Sequence, residues 1–207
     1  MEFNERAVAT DSYGVVVTRG GSLREEGVAR GSYIFECRGP DGELKWREVA
    51  ENKIMLEGVN TMLDAALAGS SYSVLGPFIG LISSVSFVVT STNDTMAQLA
   101  GTNGWREAGN ANAPTYNNHA TGTPVRPTMA WSAASGGAKA MAAAVQYDIT
   151  GTGTVEGGFV CYGTGAVSTI DNTGGHLWSG AVFSQGPKPV GNGDNIQVSY
   201  TTSIAST

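Results

Sequence analysis

The side chains of this 207-residue chain that are able to do chemistry are few and scattered. Cys37 and Cys161 are its only cysteines, and His119 and His176 its only histidines. Two distant thiols form neither a zinc-ligand pattern nor a disulfide framework. Folding can pair a Cys or Ser with a His in any chain of this composition, so the residue types alone do not identify a nucleophile. Cys161 lies in an alternating apolar run, where the expected role is that of a small buried residue. His119 sits in a polar loop and His176 between Gly175 and Leu177, and neither has a ligand spacing to Asp94 or Glu107. Both are expected as surface histidines in turns. Asp148 and Glu156 are close in sequence, but a hydrolytic carboxylate pair is defined by its spatial separation.

The stretch "DITGTGTVEGGFVCYGTG", residues 148 to 165, poses the sharpest chemical question. A phosphate cradle needs glycines at fixed positions between a strand and a helix start, or a Lys-Ser/Thr after the loop. Here Gly151 and Gly153 are followed by the acid Glu156, and then by "GGFVCYG", which has the composition of a strand. The stretch is therefore expected to be sheet, with Gly157-Gly158 marking a close backbone approach. Val155, Phe159 and Cys161 then face one core, unless a glycine bulge shifts the register.

The surrounding elements are mostly short strands. "SYIFECR" and "ELKWREV" flank the turn "GPDG" and predict a hairpin with Tyr33, Phe35 and Cys37 on one face. In "NKIMLEGVNTMLDAALAG", Leu56, Val59, Met62, Leu63, Ala66 and Leu67 recur at three- and four-residue spacing. That spacing predicts one amphipathic helix of about three turns, capped by Asn52 and stopped at Gly69. "GPFIGLISSVSFVVTS" predicts one or two buried strands, and "NDTMAQLAG" a single helical turn with Asp94 as its N-cap. "GWREAGNANAPTYNNHATGTPVRP" is expected as a long polar loop. Val145, Tyr147 and Ile149, then Ile196, Val198 and Tyr200, keep a two-residue period, and "HLWSGAVF" adds a further strand. Short strands between turn signals indicate an antiparallel sandwich or barrel-like fold. Trp46, Trp105, Trp131 and Trp178 are expected in core or interface packing.

Charge separates the first quarter of the chain from the rest. Eight of the 12 Lys and Arg and eleven of the 18 Asp and Glu fall in residues 1 to 57. A net charge of -6 offers no clustered cationic face for nucleic acid. No apolar run approaches the roughly 18 residues of a membrane span, and the polar, acidic start "MEFNERAVAT" lacks the features of a secretory signal. The chain is expected to be made in the cytosol as a soluble protein. Residues 1 to 30 are read as an extended arm. Their β-prone run, with Tyr13, Val15, Val16 and Val17, suits addition to a partner's sheet edge.

As an ordered set, several segments resemble a known group of proteins. "ECRGPDGELKWREVAENKI", "LEGVNTMLDAAL", "GPFIGLI" and "NDTMAQLAGTNGWRE" are followed by "RPTMAWSAASGGA", "TGTVEGGFV" and "GNGDNIQVSYTTSI". The set, over about residues 32 to 205, looks like tailed-bacteriophage virion structural proteins of the capsid decoration, cement or head-fibre type. The resemblance implies a β-rich accessory subunit on a capsid or other virion surface, with the major capsid protein as partner, self-association as a trimer, and no catalytic residues or cofactors. Residues 1 to 30 extend beyond the pattern. The expectation is thus a mainly β chain with a jelly-roll-like antiparallel β-sandwich over residues 31–207, one amphipathic helix and an N-terminal arm over residues 1–30. Its expected role is non-enzymatic: to decorate and stabilise a capsid, binding no nucleic acid, membrane or metal. An alternative is a tail or head-fibre component that binds a host-surface glycan through exposed aromatics, Trp105 and Tyr116 among them. A hydrolytic enzyme would require a cleft that joins a His to two acids.

Overall fold

The computed structural model describes residues 27–65, 75–83, 91–97 and 105–206. The arm residues Tyr13, Val15, Val16 and Val17 lie outside them, as do Ala66, Leu67 and Gly69 of the expected helix. The chain forms two antiparallel sheets packed face to face, a β-sandwich. The predicted hairpin is present as β1 (Gly27–Arg38) and β2 (Leu44–Glu51). Its turn is closed by Gly42 N–H donating to Gly39 O, with Gly42 at φ 83°. That left-handed backbone is open to glycine at little cost. β1 starts at Gly27, inside the segment assigned to the arm, and runs in unbroken register with β12 (Asn195–Ser206) from Gly27↔Ser206 to Arg38↔Asn195. The pairs Tyr33↔Tyr200, Phe35↔Val198 and Cys37↔Ile196 put both apolar series on one face, and all six side chains are buried.

β12 is central in this first sheet. Its other flank takes β8 (Val145–Ile149) and β7 (Ala138–Ala140), and β8 in turn pairs β6 (Tyr116–Asn118). The second sheet runs β3 (Lys53–Ile54), β10 (His176–Val182), β9 (Gly153–Tyr162), β4 (Phe78–Ser83), β5 (Arg106–Glu107), with β11 (Lys188–Val190) also on β9. The main core, including Tyr33, Phe35, Ile79, Leu81, Tyr147 and Val198, fills the space between the sheets. A second cluster of Met55, Ile82, Met96, Trp105, Phe159, Cys161 and Leu177 covers the outer side of the second sheet. β4 and β9 are thus buried on both faces, which explains their nearly continuous apolar composition.

The glycine-dense stretch is strand, as its composition predicts. A Cβ on Gly157 would stand 1.9 Å from the Ala181 carbonyl oxygen, and one on Gly158 2.9 Å from Phe35 Cζ, so strand and ring close in where side chains are missing. The ladder to β4 slips between Ile82↔Gly157 and Ser83↔Val155. This irregularity sends Val155 into the main core and Phe159 and Cys161 into the outer cluster. The three do not share a face, because the bulge inverts the alternation between them.

The helix departs from its predicted boundaries. α1 spans Leu56–Leu63, with Met55 at the N-cap position and no side-chain cap. Asn52 instead donates its backbone N–H to Gly31 O and its side-chain amide to the Tyr200 hydroxyl. Lys53 and Ile54, expected in the first turn, are claimed by strand pairing with Gly180 and Ser179. The apolar stripe is not the buried face either: Leu56 and Leu63 are each 53% exposed, and the buried residue is Gly58. Its missing side chain lets the helix approach the Trp178 carbonyl, from which a Cβ would be only 2.9 Å away. Asp94 is likewise not the cap of the short turn at Met96. It accepts from the Ser91 N–H, while Thr95 Oγ1 accepts from Ala97 N–H.

Candidate functional site

Each side chain with chemical potential can now be placed. Cys37 and Cys161 are both fully buried. Burial, with the adjacent Asp194 charge, pushes the Cys37 thiol up to about 12, and burial pushes Cys161 up to about 11. A thiol held protonated is a poor nucleophile and a poor metal ligand. Cys37 points at the Asp194 carboxylate (3.8 Å), and Cys161 receives Arg126 Nη1 (3.5 Å).

His119 lies on the outer side of the first sheet, where its Nδ1 faces both Asp148 carboxylate oxygens at 3.0 and 2.9 Å. The same carboxylate accepts from Asn195 Nδ2 at 2.8 Å. Both His119 and Asp148 side chains are about half exposed. His176 pairs loosely with Glu57 at 3.4 Å, and Glu57 Oε2 accepts from Leu177 N–H, which ties α1 to β10. His119 is a surface residue in a turn, as expected, whereas His176 opens strand β10 and is part-buried. Among the described residues no three His, Cys, Asp or Glu converge as a metal site.

The polar segment after Trp105 is not a plain loop. It carries β5, β6 and a fully buried ion pair, Arg126 with Glu107. Arg126 binds the carboxylate in a fork, Nε to Oε1 at 2.7 Å and Nη2 to Oε2 at 2.6 Å. Its remaining donors reach Val167 O at 3.1 Å and Asn172 O at 2.8 Å, and the Asp171 N–H donates to Glu107 Oε2 at 2.8 Å. Burial raises the Glu107 pKa and the Arg126 fork opposes that rise; burial pulls Arg126 down, but the hydrogen bonds to Glu107 and the Glu107 charge together hold it above its ordinary value. The pair fastens the 163–175 connection to the outer side of the second sheet. Scarcity was its one sequence signal: Arg126 is among the few cations after residue 57.

Trp105 and Tyr116 are 1% and 0% exposed. Trp105 packs edge-on to Phe159 at 4.9 Å, and Tyr116 edge-on to Tyr147 at 4.8 Å. The expectation that these two rings face solvent as a sugar platform is therefore corrected. The strands on either side of this segment draw its aromatics inward.

The feature best suited to binding was not visible in the sequence. At one end of the sandwich an apolar cleft of about 560 Å³ opens between α1, β12 and β7. Trp131, Tyr162, Trp178, Val160, Met62 and Ile204 are among its lining residues. Tyr162 OH donates to Thr61 Oγ1 at 2.5 Å and Trp178 Nε1 to the Tyr200 hydroxyl at 3.0 Å. With their polar atoms engaged in the wall, these rings offer carbon to an occupant. Lys139 is the cation at the rim, 6.0 Å above the Trp131 ring. The lining residues arrive from six separate parts of the chain, so no local motif announces them.

Comparison of the chain with protein-family models, with curated proteins and with solved structures finds no match.

Proposed function

We propose that this chain is a non-enzymatic structural protein of a tailed-phage virion that decorates and stabilises the capsid. In this reading it binds the major capsid protein through its β-domain and N-terminal arm, and acts as a homotrimer on the capsid surface. The observation that carries the reading is the apolar surface at one end of the sandwich: the cleft itself, with exposed Leu56 and Leu63 on α1 and Ile204 on β12, the elements that border it. Exposed apolar clusters of this kind mark contact surfaces with other macromolecules. A subunit of this type works by buried area repeated under symmetry, and it stabilises the lattice by binding its assembled form.

The test is electron microscopy of undecorated capsids incubated with the full chain or with a chain lacking residues 2–26, a deletion that spares β1. The full chain is expected to give ordered density on the shell, and the deletion to reduce its occupancy. Undiminished occupancy would remove the arm from the mechanism. Absence of shell density for the full chain would sink the whole reading.

A further inference from the structure

Among the described residues, the cleft adjoins the main core at one end, with Val160 common to both. Along β1 the inward series runs Ala29, Gly31, Tyr33, Phe35, Cys37, and the last three are fully buried against the opposite sheet. Toward Ala29 the large side chains stop, while β12 continues inward with Thr202 and Ile204, both in the cleft wall. Ala134 and Ala138 line it from the other side. The space is walled by aromatic and aliphatic side chains, Val160 and Tyr162 of β9, Trp178 of β10 and Ile204 of β12 among them. An apolar space of this size is a binding site in search of an apolar occupant.

The path of the chain points to one. β1 begins at Gly27, opposite Ser206, and Ala29 pairs with Ile204, a residue of the cleft lining. Residues 1–26 include Tyr13-Gly14-Val15-Val16-Val17, the one concentrated apolar run upstream of β1. Residues 18–26 form a tether that reaches about 30 Å when extended, against about 10 Å from β1 across β12 to β7. Gly20-Gly21 in that tether allow the chain to double back. Asp11, just upstream of the run, has the charge opposite to that of Lys139 at the rim of the cleft. A segment tethered this closely is present at an effective concentration in the millimolar range.

We propose that residues 13–17 of the same chain seat in this cleft and extend the core at that end. The seat needs no partner, and where it is filled the surface left for the virion reading is exposed Leu56 and Leu63 on α1 with the rest of the arm. A second copy of the chain is the competing source of the same segment.

The test is a disulfide trap in the full chain, with Val16→Cys combined with Ile204→Cys, and separately with Ala138→Cys in case one wall position perturbs folding. The native Cys37 and Cys161 are buried and stay out of the reaction. Val16→Cys with Val49→Cys, on the outward face of β2, is the control. At low micromolar protein under mild oxidation, at least one wall pair is expected to link within a single chain at least tenfold faster than the control. Linkage that yields only covalent dimers overturns the same-chain seat in favour of a second copy. Linkage of both wall pairs at the control rate overturns the occupant altogether.

Discussion

Replacing Arg126 by Met removes a buried cation and leaves three acceptors behind. The Glu107 carboxylate keeps the Asp171 N–H, and the Val167 and Asn172 carbonyls lose their side-chain donor. Both side chains of the pair are 0% exposed, so water cannot replace the lost bonds without opening the fold. Breaking one half of a buried pair costs about 3–5 kcal/mol, because the surviving charge is left uncompensated. For a chain of this length that is a fall in Tm of about 6–20 °C. The Glu107→Met/Arg126→Met double variant removes both charges and is expected to lose less than Arg126→Met alone. Urea unfolding followed by tryptophan fluorescence gives both quantities, and a double-mutant cycle isolates the coupling. Hydrogen exchange should show the largest local change in residues 163–175, which the pair anchors. An Arg126→Met variant within about 1 kcal/mol of the parent, or a double variant as damaged as the sum of the singles, would refute this account.

Two further predictions use the same unfolding measurement. Cys37 and Cys161 should be inert to a thiol reagent at pH 8 in the native protein and react fully in guanidinium. Their folded values of about 12 and about 11 stand above the ordinary 9.0. The unfolded thiols therefore lose protons first as pH rises, and stability should decline from about pH 9 upward toward those folded values. Thiol reactivity in the native state at pH 8 would count against the burial assigned to them. Gly157→Ala, whose Cβ meets the Ala181 carbonyl at 1.9 Å, should cost at least about 2 kcal/mol. Gly42→Ala meets nothing within 4 Å and pays only for its φ of 83°, about 1 kcal/mol. Equal losses at the two positions would mean that β9 and β10 do not approach as closely as their register indicates.

Much of the sandwich can be read from local pattern. Tyr33, Phe35 and Cys37 alternate without interruption, and so do Ile196, Val198 and Tyr200, because each series has one face in the core and one in solvent. Legibility ends where a residue answers to a distant neighbour. The three- and four-residue spacing around Leu56 describes a helix correctly, but Gly58 against the Trp178 carbonyl decides which side faces the sheet. Asn52 has the chemistry of a cap, yet Tyr200, far along the chain, takes its amide. Glu107 and Arg126 sit in a segment whose Asn, Pro and Gly predict a solvated loop, and only folding shows that they meet in a closed space. The cleft is hardest of all, since its rings come from segments that are unrelated in sequence and share only their place at the end of the core.

The position of β12 has a consequence for how the fold is reached. The first sheet needs residues 195–206 in its middle, between β1 on one side and β7 and β8 on the other. During synthesis the hairpin strands β1 and β2 emerge long before β12, so the edge of β1 that pairs β12 and the apolar face with Tyr33 and Phe35 wait for their partner. β8 and β6 also emerge before the strand that joins them to that hairpin exists. Pairing across such sequence separation is slow, and unpaired edges are where nascent chains aggregate. β12 thus joins two parts of the first sheet, and a chain that lacks it is expected to expose both unpaired edges and to aggregate on refolding.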